Sequence, residues 1–168
     1  MKKIIPVILI LCFVLASCGA KTLPADTAAR DILDKVLESQ SDVPQSENLF
    51  TAKDANMDEY TFSIVIDGMY EEIAEYALLD DYAMYLCDGN HTYEIDILRA
   101  KSAEDAAKLE SALKRRLELL SGGDKAMYDP DFDKMISSAK VYSDGNFAFL
   151  LITSDNDAAV KAIDAFKK

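Results

Sequence analysis

The sequence predicts an α+β domain: an antiparallel sheet built from two β-β-α-like units with helices mainly on one face, plus an N-terminal helix. Three observations carry this. Asp88-Gly89-Asn90 and Asp144-Gly145-Asn146 are hairpin signals, because Gly and Asn tolerate the positive φ of tight turns. Each turn is followed by an apolar stretch and then by a helix-capping residue, Ser102 or Asp155. Ahead of both, Ala29, Ile32, Leu33, Val36 and Leu37 recur at helical spacing. The echo between the two units is architectural, since turns and caps reuse the same few residue types for local reasons.

Taken in order, Asp26 or Thr27 is expected to cap the first helix, which runs to about Ser39. Ser41 to Asn56 is polar, contains Pro44 and reads as loop. Tyr60 to Ile66 alternates large apolar with smaller residues, which predicts a half-buried strand ending at Asp67-Gly68, with a helix as the alternative. Met69 to Glu75 reads as a short helical connection. Tyr76 to Leu86 follows as one bent strand or two, broken at Asp80-Asp81, and Tyr93 to Ala100 as another strand.

Ser102 opens a long helix with Glu104 and Asp105 in its first turn, where acids complement the helix dipole. Ala106, Leu109, Leu113, Leu117 and Leu120 form its core stripe, and Gly122-Gly123 ends it. Asp129-Pro130 reads as cap and first residue of a short helix to about Ser137. Val141 to Thr153 is the second hairpin. The last helix starts near Asp155 and should bury Ala159, Ile163 and Phe166.

The N-terminus has a different design. Met1-Lys2-Lys3 precedes an apolar core from Ile4 to Ala16, and Leu15-Ala16-Ser17-Cys18 closes it. That core is shorter than the roughly 20 residues a helix needs to span a bilayer. The small residues before Cys18 suit cleavage there, and the thiol suits attachment of a diacylglyceryl group. Two acyl chains, at about 0.8 kcal/mol per buried methylene, anchor stably where one is marginal. The expected organisation is residues 1–17 as a lipoprotein signal peptide, 18–26 as a lipidated tether, and 27–168 as a single α+β domain. The extended chain from Gly19 to Ala25 reaches at most about 25 Å, so the domain is expected close above the membrane. The alternative is an ordinary cleaved signal beside a chance cysteine.

Composition narrows the function classes. The net charge of -12 becomes more negative once Lys2 and Lys3 leave, which excludes nucleic acid as a natural partner. Such a surface is also repelled by anionic head groups, so the anchor itself must hold the membrane. With Cys12 in the leader and Cys18 acylated, Cys87 is the one free thiol, expected as a small core residue.

No candidate chemistry assembles from spacing alone. Asp129, Asp131 and Asp133 alternate like the start of a calcium loop. Lys134 and Lys140 stand where Gly and Glu are required, so a helix cap is the better reading. Asp80 and Asp81, adjacent in a strand, point to opposite faces and read as a strand break. His91 has no second His or Cys at ligand spacing and reads as a solvated loop residue. There is no Gly-x-Ser-x-Gly elbow, no glycine-rich phosphate loop and no Trp for sugar stacking. No cofactor or metal is expected.

Tyr93-Glu94-Ile95-Asp96-Ile97-Leu98-Arg99-Ala100-Lys101 runs directly into Ser102-Ala103-Glu104-Asp105-Ala106-Ala107-Lys108. Leu113-Lys114-Arg115-Arg116-Leu117, then Tyr128 and the closing hairpin and helix, follow. This pattern resembles a family of small bacterial lipoproteins catalogued as a domain of unknown function (4358). The resemblance covers roughly residues 27–168, most specifically 93–168 and least clearly 40–75. It implies a lipidated leader and a cell-envelope location in bacteria with one membrane, and it brings no activity or catalytic residues.

The expected function is therefore that of a cell-membrane lipoprotein, anchored through Cys18 on the extracytoplasmic face. It would act as a non-enzymatic binding or accessory module for an envelope protein, peptide or small solute. The alternative is a small envelope hydrolase using Asp or Glu residues, and a weaker one is cation buffering by the acidic surface. A two-lobed solute receptor needs a longer chain than residues 18–168 supply.

Overall fold

The computed structural model describes residues 21–46, 48–52, 56–69, 73–87, 91–122 and 127–168. The leader, Cys18 and the Asp88-Gly89-Asn90 turn lie outside the described residues. The elements run in the order α1 (Ala29–Glu38), β1 (Asn48–Thr51), α2 (Glu59–Asp67), a 3₁₀ turn (Ala74–Leu78), β2 (Leu79–Leu86) and β3 (Glu94–Ala100). They continue with α3 (Ala103–Ser121), α4 (Phe132–Ser138), β4 (Lys140–Asp144), β5 (Phe147–Ile152) and α5 (Asn156–Asp164).

The five strands form one antiparallel sheet in the order β1-β2-β3-β5-β4. Each hairpin contributes its second strand to the centre, so β3 and β5 pair and the two β-β-α units share a single sheet. The expected α+β class, antiparallel sheet and N-terminal helix are all present. The helices, however, divide between the two faces.

Arg116 and Glu110 of α3 reach Glu94 of β3 and Ser143 of β4, which the strand register places on one face. On the other face, Arg99 of β3 donates to the Thr27 carbonyl just before α1, and Asp81 of β2 accepts from the Ala29 amide. α5 packs on α1 there, and Lys167 beyond it pairs with Asp144. The two units therefore send their helices to opposite faces. Their physical cause is visible in β5, where Phe147-Ala148-Phe149-Leu150-Leu151-Ile152 is fully buried on both sides and needs two covering layers.

Three elements depart from expectation. Residues 60–66 form α2, not a strand. Asp58 caps it by accepting from Thr61 N at 2.7 Å, and Gly68 ends it in the left-handed region at φ 67. Between these caps Phe62, Ser63 and Ile66 make a buried helical stripe against α3, which outweighs the strand preference of β-branched side chains. Inside the expected loop 41–56, Asn48–Thr51 forms β1. It is a short edge strand with Leu49 and Phe50 half-buried against the core, and Ser46 and Asn56 pin its two ends through side-chain hydrogen bonds. The expected strand from Tyr76 begins only at Leu79. Its first residues form the 3₁₀ turn, and the register shifts between Leu79 and Asp81.

Two caps also move. Neither Asp26 nor Thr27 caps α1. Ala28 occupies that position without a side-chain bond, and Asp81 Oδ2 from β2 takes the Ala29 amide at 2.8 Å instead. α4 starts at Phe132, two residues beyond the expected first helical position at Pro130. α3 and α5 are capped as expected, by Ser102 and Asp155. In α3 the buried stripe is Ala106, Leu109, Ala112 and Leu113, with Leu117 and Leu120 only half-buried.

The chain before α1 is partly folded onto the domain. Leu23 is buried in the core, its carbonyl lies beside Gly145, and Thr22 O accepts from Lys168 N at 3.3 Å. This N-terminal segment therefore docks at the Ala100–Asn146 end of the sheet, where Ala100 N donates to Asn146 O at 2.7 Å. No helix among the described residues is long and apolar enough to cross a membrane.

Candidate functional site

A cleft of about 400 Å³ opens at the other end of the sheet. One wall is Val43-Pro44, delivered by the segment that leaves α1. A second is His91, Thr92 and Tyr93, the approach to β3. The third is Asp129, Asp131 and Met135 around the start of α4, with Ser154 after β5 closing the floor. β3 runs from Glu94 beside the cleft to Ala100 beside the docked Leu23, about 20 Å at strand rise. The cleft and the docked Thr22-Leu23 segment thus occupy opposite poles of the domain.

Asp129 organises the site. Its Oδ2 accepts from Thr92 N at 2.6 Å and its Oδ1 from Asp131 N at 2.9 Å, which ties the α4 approach to β3. Burial raises the Asp129 pKa, but the two amides, the Thr92 hydroxyl and the charge of His91 outweigh it and leave it below the usual value. Thr92 and Tyr93 are each only 4% exposed, and Tyr93 Oη has no hydrogen-bond partner among the described residues. Burial drives the Tyr93 phenol pKa strongly upward, with Cys87 and Tyr85 adding to it, so it stays a neutral donor and acceptor. Tyr85 stands edge-on to Tyr93 at 6.2 Å between ring centroids and donates to Pro44 O at 2.6 Å, bracing the Val43-Pro44 wall.

No known protein family, curated protein or solved structure matches this chain. The resemblance to the lipoprotein family gains no support from these comparisons. Function therefore has to be argued from the site itself.

The residues singled out from the sequence fall in three places. His91, Asp129 and Asp131 come together in the cleft, while Asp133 lies exposed on α4. His91 is exposed at the mouth of the cleft. Asp80 and Asp81 belong to a clamp at the tether end, where Arg99 pairs with Asp80 at 2.8 Å and Asp81 holds α1. Cys87 is buried and reduced, with its sulfur 3.7 Å from Pro44 O. No cluster of three or more metal-ligating side chains occurs among the described residues.

A second polar centre escaped the sequence reading. On the α3 face of β3, Glu94 is gripped by Arg116 through two hydrogen bonds of 2.7 Å, and Asp96 lies beside it with no exposed surface. Both Asp96 oxygens lack a partner as long as the carboxyl is ionised. Burial, reinforced by the Glu94 charge and opposed by Arg116, holds the Asp96 pKa well above the carboxylate range. The neutral acid then donates to Glu94, which resolves the orphaned oxygen. The signal for this pair was two acids at i and i+2 inside an otherwise apolar strand, Glu94 and Asp96, which necessarily share a face.

Proposed function

We propose that this protein is a lipid-anchored, extracytoplasmic binding or accessory module, held at the membrane through Cys18 and presenting its cleft to an envelope peptide, protein or small solute. The observation that carries the reading is polarity. The tether docks at one end of the sheet through Thr22 and Leu23, and the cleft with the unpartnered Tyr93 hydroxyl in its lining opens at the other. A module built this way keeps its concave surface turned away from the bilayer. Few residues separate Cys18 from the docked Thr22, about 15 Å of extended chain, so the anchor also limits how far the domain tumbles.

The hydrolase alternative needs two carboxyl groups that a substrate can reach. Glu94 and Asp96 are the nearest approach to an acid pair, yet they are 3% and 0% exposed beneath α3. Their environment favours a structural role, which supports binding over catalysis.

The test uses protein purified from its native membranes. Mass spectrometry should find a chain beginning at a diacylglyceryl Cys18, and an acyl-free, unprocessed start would overturn the anchoring. Hydroxyl-radical footprinting with an extract of envelope solutes and peptides should then protect His91, Met135 and Tyr128 while leaving Tyr60 and Met69 unchanged. Protection confined to other surfaces would retire the cleft as the working site.

A further inference from the structure

We propose that the cleft is a site for an organic cation, an ammonium or guanidinium group carried on a short apolar arm. This rests on the reading of the cleft as the working surface and names its ligand class.

Charge is the first argument. Asp42, Asp129 and Asp131 line the cleft against the single imidazole of His91, in a chain whose net charge is already -12. An anionic ligand would meet like charge from three sides, whereas a cation is drawn in by the whole field of the domain. The acids are also arranged for the task. Asp129 is fixed by two backbone amides, while the carboxylate of Asp131 makes no capping bond to α4 and is left to face a ligand.

A buried hydroxyl is the second, independent argument. Tyr93, part of the cleft lining, keeps its Oη removed from solvent without a hydrogen-bond partner among the described residues. Such a group is costly to leave unmatched, and a ligand rich in N–H donors supplies what its lone pairs lack. Ammonium and guanidinium groups carry three and five such donors.

The third argument is apolar surface around the charges. Val43, Pro44 and Met135 give the cleft a hydrophobic side suited to methylene groups. Immediately before Asp129, Met127 and Tyr128 are 77% and 65% exposed, an unusual display for such side chains. The Tyr128 ring, next in sequence to the cleft residue Asp129, offers an exposed face for cation–π contact.

The test places the full lipidated chain in nanodiscs of zwitterionic lipid and titrates cadaverine, an acetyl-lysine amide and pentanol as a neutral isostere. Calorimetry and radical footprinting are the readouts. Cationic probes should protect Met135 and Tyr128 and should bind less tightly as salt is raised, and pentanol should not bind measurably. The D42N/D131N double variant should bind roughly tenfold more weakly, the effect of two partly exposed carboxylates. A D26N/D164N control near the tether end should bind as the parent does. Preference for cadaverine identifies a free amine, and preference for the lysine amide identifies a basic protein segment; either supports the proposal. Equal binding of pentanol, an unchanged D42N/D131N variant, or no cleft protection by either cation overturns it. If the envelope extract still protects the cleft in any of those cases, the cleft stands and only the cation assignment falls.

Discussion

Arg116, near the C-terminal end of α3, holds both oxygens of Glu94 on β3 at 2.7 Å, closing a charged fork inside the layer between helix and sheet. The fork sits beside Asp96, so the guanidinium is spent on Glu94 and the neighbouring buried Asp96 must keep its proton. Arg116→Met should therefore leave Glu94 buried without a counter-charge and destabilise the fold by about 3–5 kcal/mol. Urea denaturation at neutral pH measures it, and a loss below about 1 kcal/mol would mean that the pair is solvated.

Asp96 gives the fold a pH dependence of definite sign. Its folded pKa lies above its unfolded value, so the native state binds the extra proton. That contribution is fully present below the unfolded pKa and is lost as pH rises through the folded one. Asp96→Asn keeps a hydrogen-bond donor toward Glu94 without titrating. The stability of the parent relative to this variant should decline steadily from about pH 4 upward, as urea midpoints will show. A gap that is constant with pH would contradict a protonated Asp96.

Asp81 joins two parts of the chain that are far apart in sequence. Its Oδ2 caps α1 through Ala29 N, its Oδ1 accepts from Tyr82 N, and Arg99 lies 3.8 Å away. Asp81→Ala should cost about 1–2 kcal/mol, as for other lost helix caps. Hydrogen exchange should quicken first in the opening turn of α1. Protection unchanged there would show that the cap is dispensable.

Gly145 turns the β4–β5 hairpin at φ 56 and lies against the Leu23 carbonyl, where an added Cβ would meet that oxygen at 3.6 Å. The space is adequate, so the cost of Gly145→Ala is conformational, about 1–2 kcal/mol for a non-glycine residue in the left-handed region. Thermal denaturation should register it. A neutral substitution would place the turn in another conformation.

Leu23 should behave as a core residue despite its place in the tether. Leu23→Ala is expected to cost about 2–3 kcal/mol and to expose the Lys21–Thr22 bond to trypsin in the otherwise native protein. Unchanged proteolysis would argue against docking of this segment.

Much of the fold was legible because its signals are local. Ser102 and Asp155 cap their helices, and the Asp144-Gly145-Asn146 turn closes its hairpin, since each of these depends on backbone groups only two or three residues away. The segment 60–66 misled because Tyr60, Phe62, Ile64 and Ile66 alternate while Phe62, Ser63 and Ile66 also fit a helical face. Asp58 and Gly68, which settle the matter, lie just outside the window. β1 was hidden because its apolar part is only Leu49-Phe50, too short to show a period, and this edge strand draws its order from β2. In the candidate site, His91, Asp129 and Asp131 were visible as residues but not as neighbours, and Val43 and Thr92 carried no mark of function.

By itself the sequence determined the α+β class, the pairing of two hairpin-and-helix units, the acidic balance, and the expectation of an acylated Cys18. These follow from composition and from interactions between residues close along the chain. Only the tertiary structure decided that helices cover both faces, that Asp81 caps a helix more than fifty positions earlier, that Arg116 grips Glu94 with Asp96 buried beside it, and that the cleft and the docked Leu23 stand at opposite poles. Each of those depends on which distant segments the sheet brings together, and burial between them, not local preference, selects the partners.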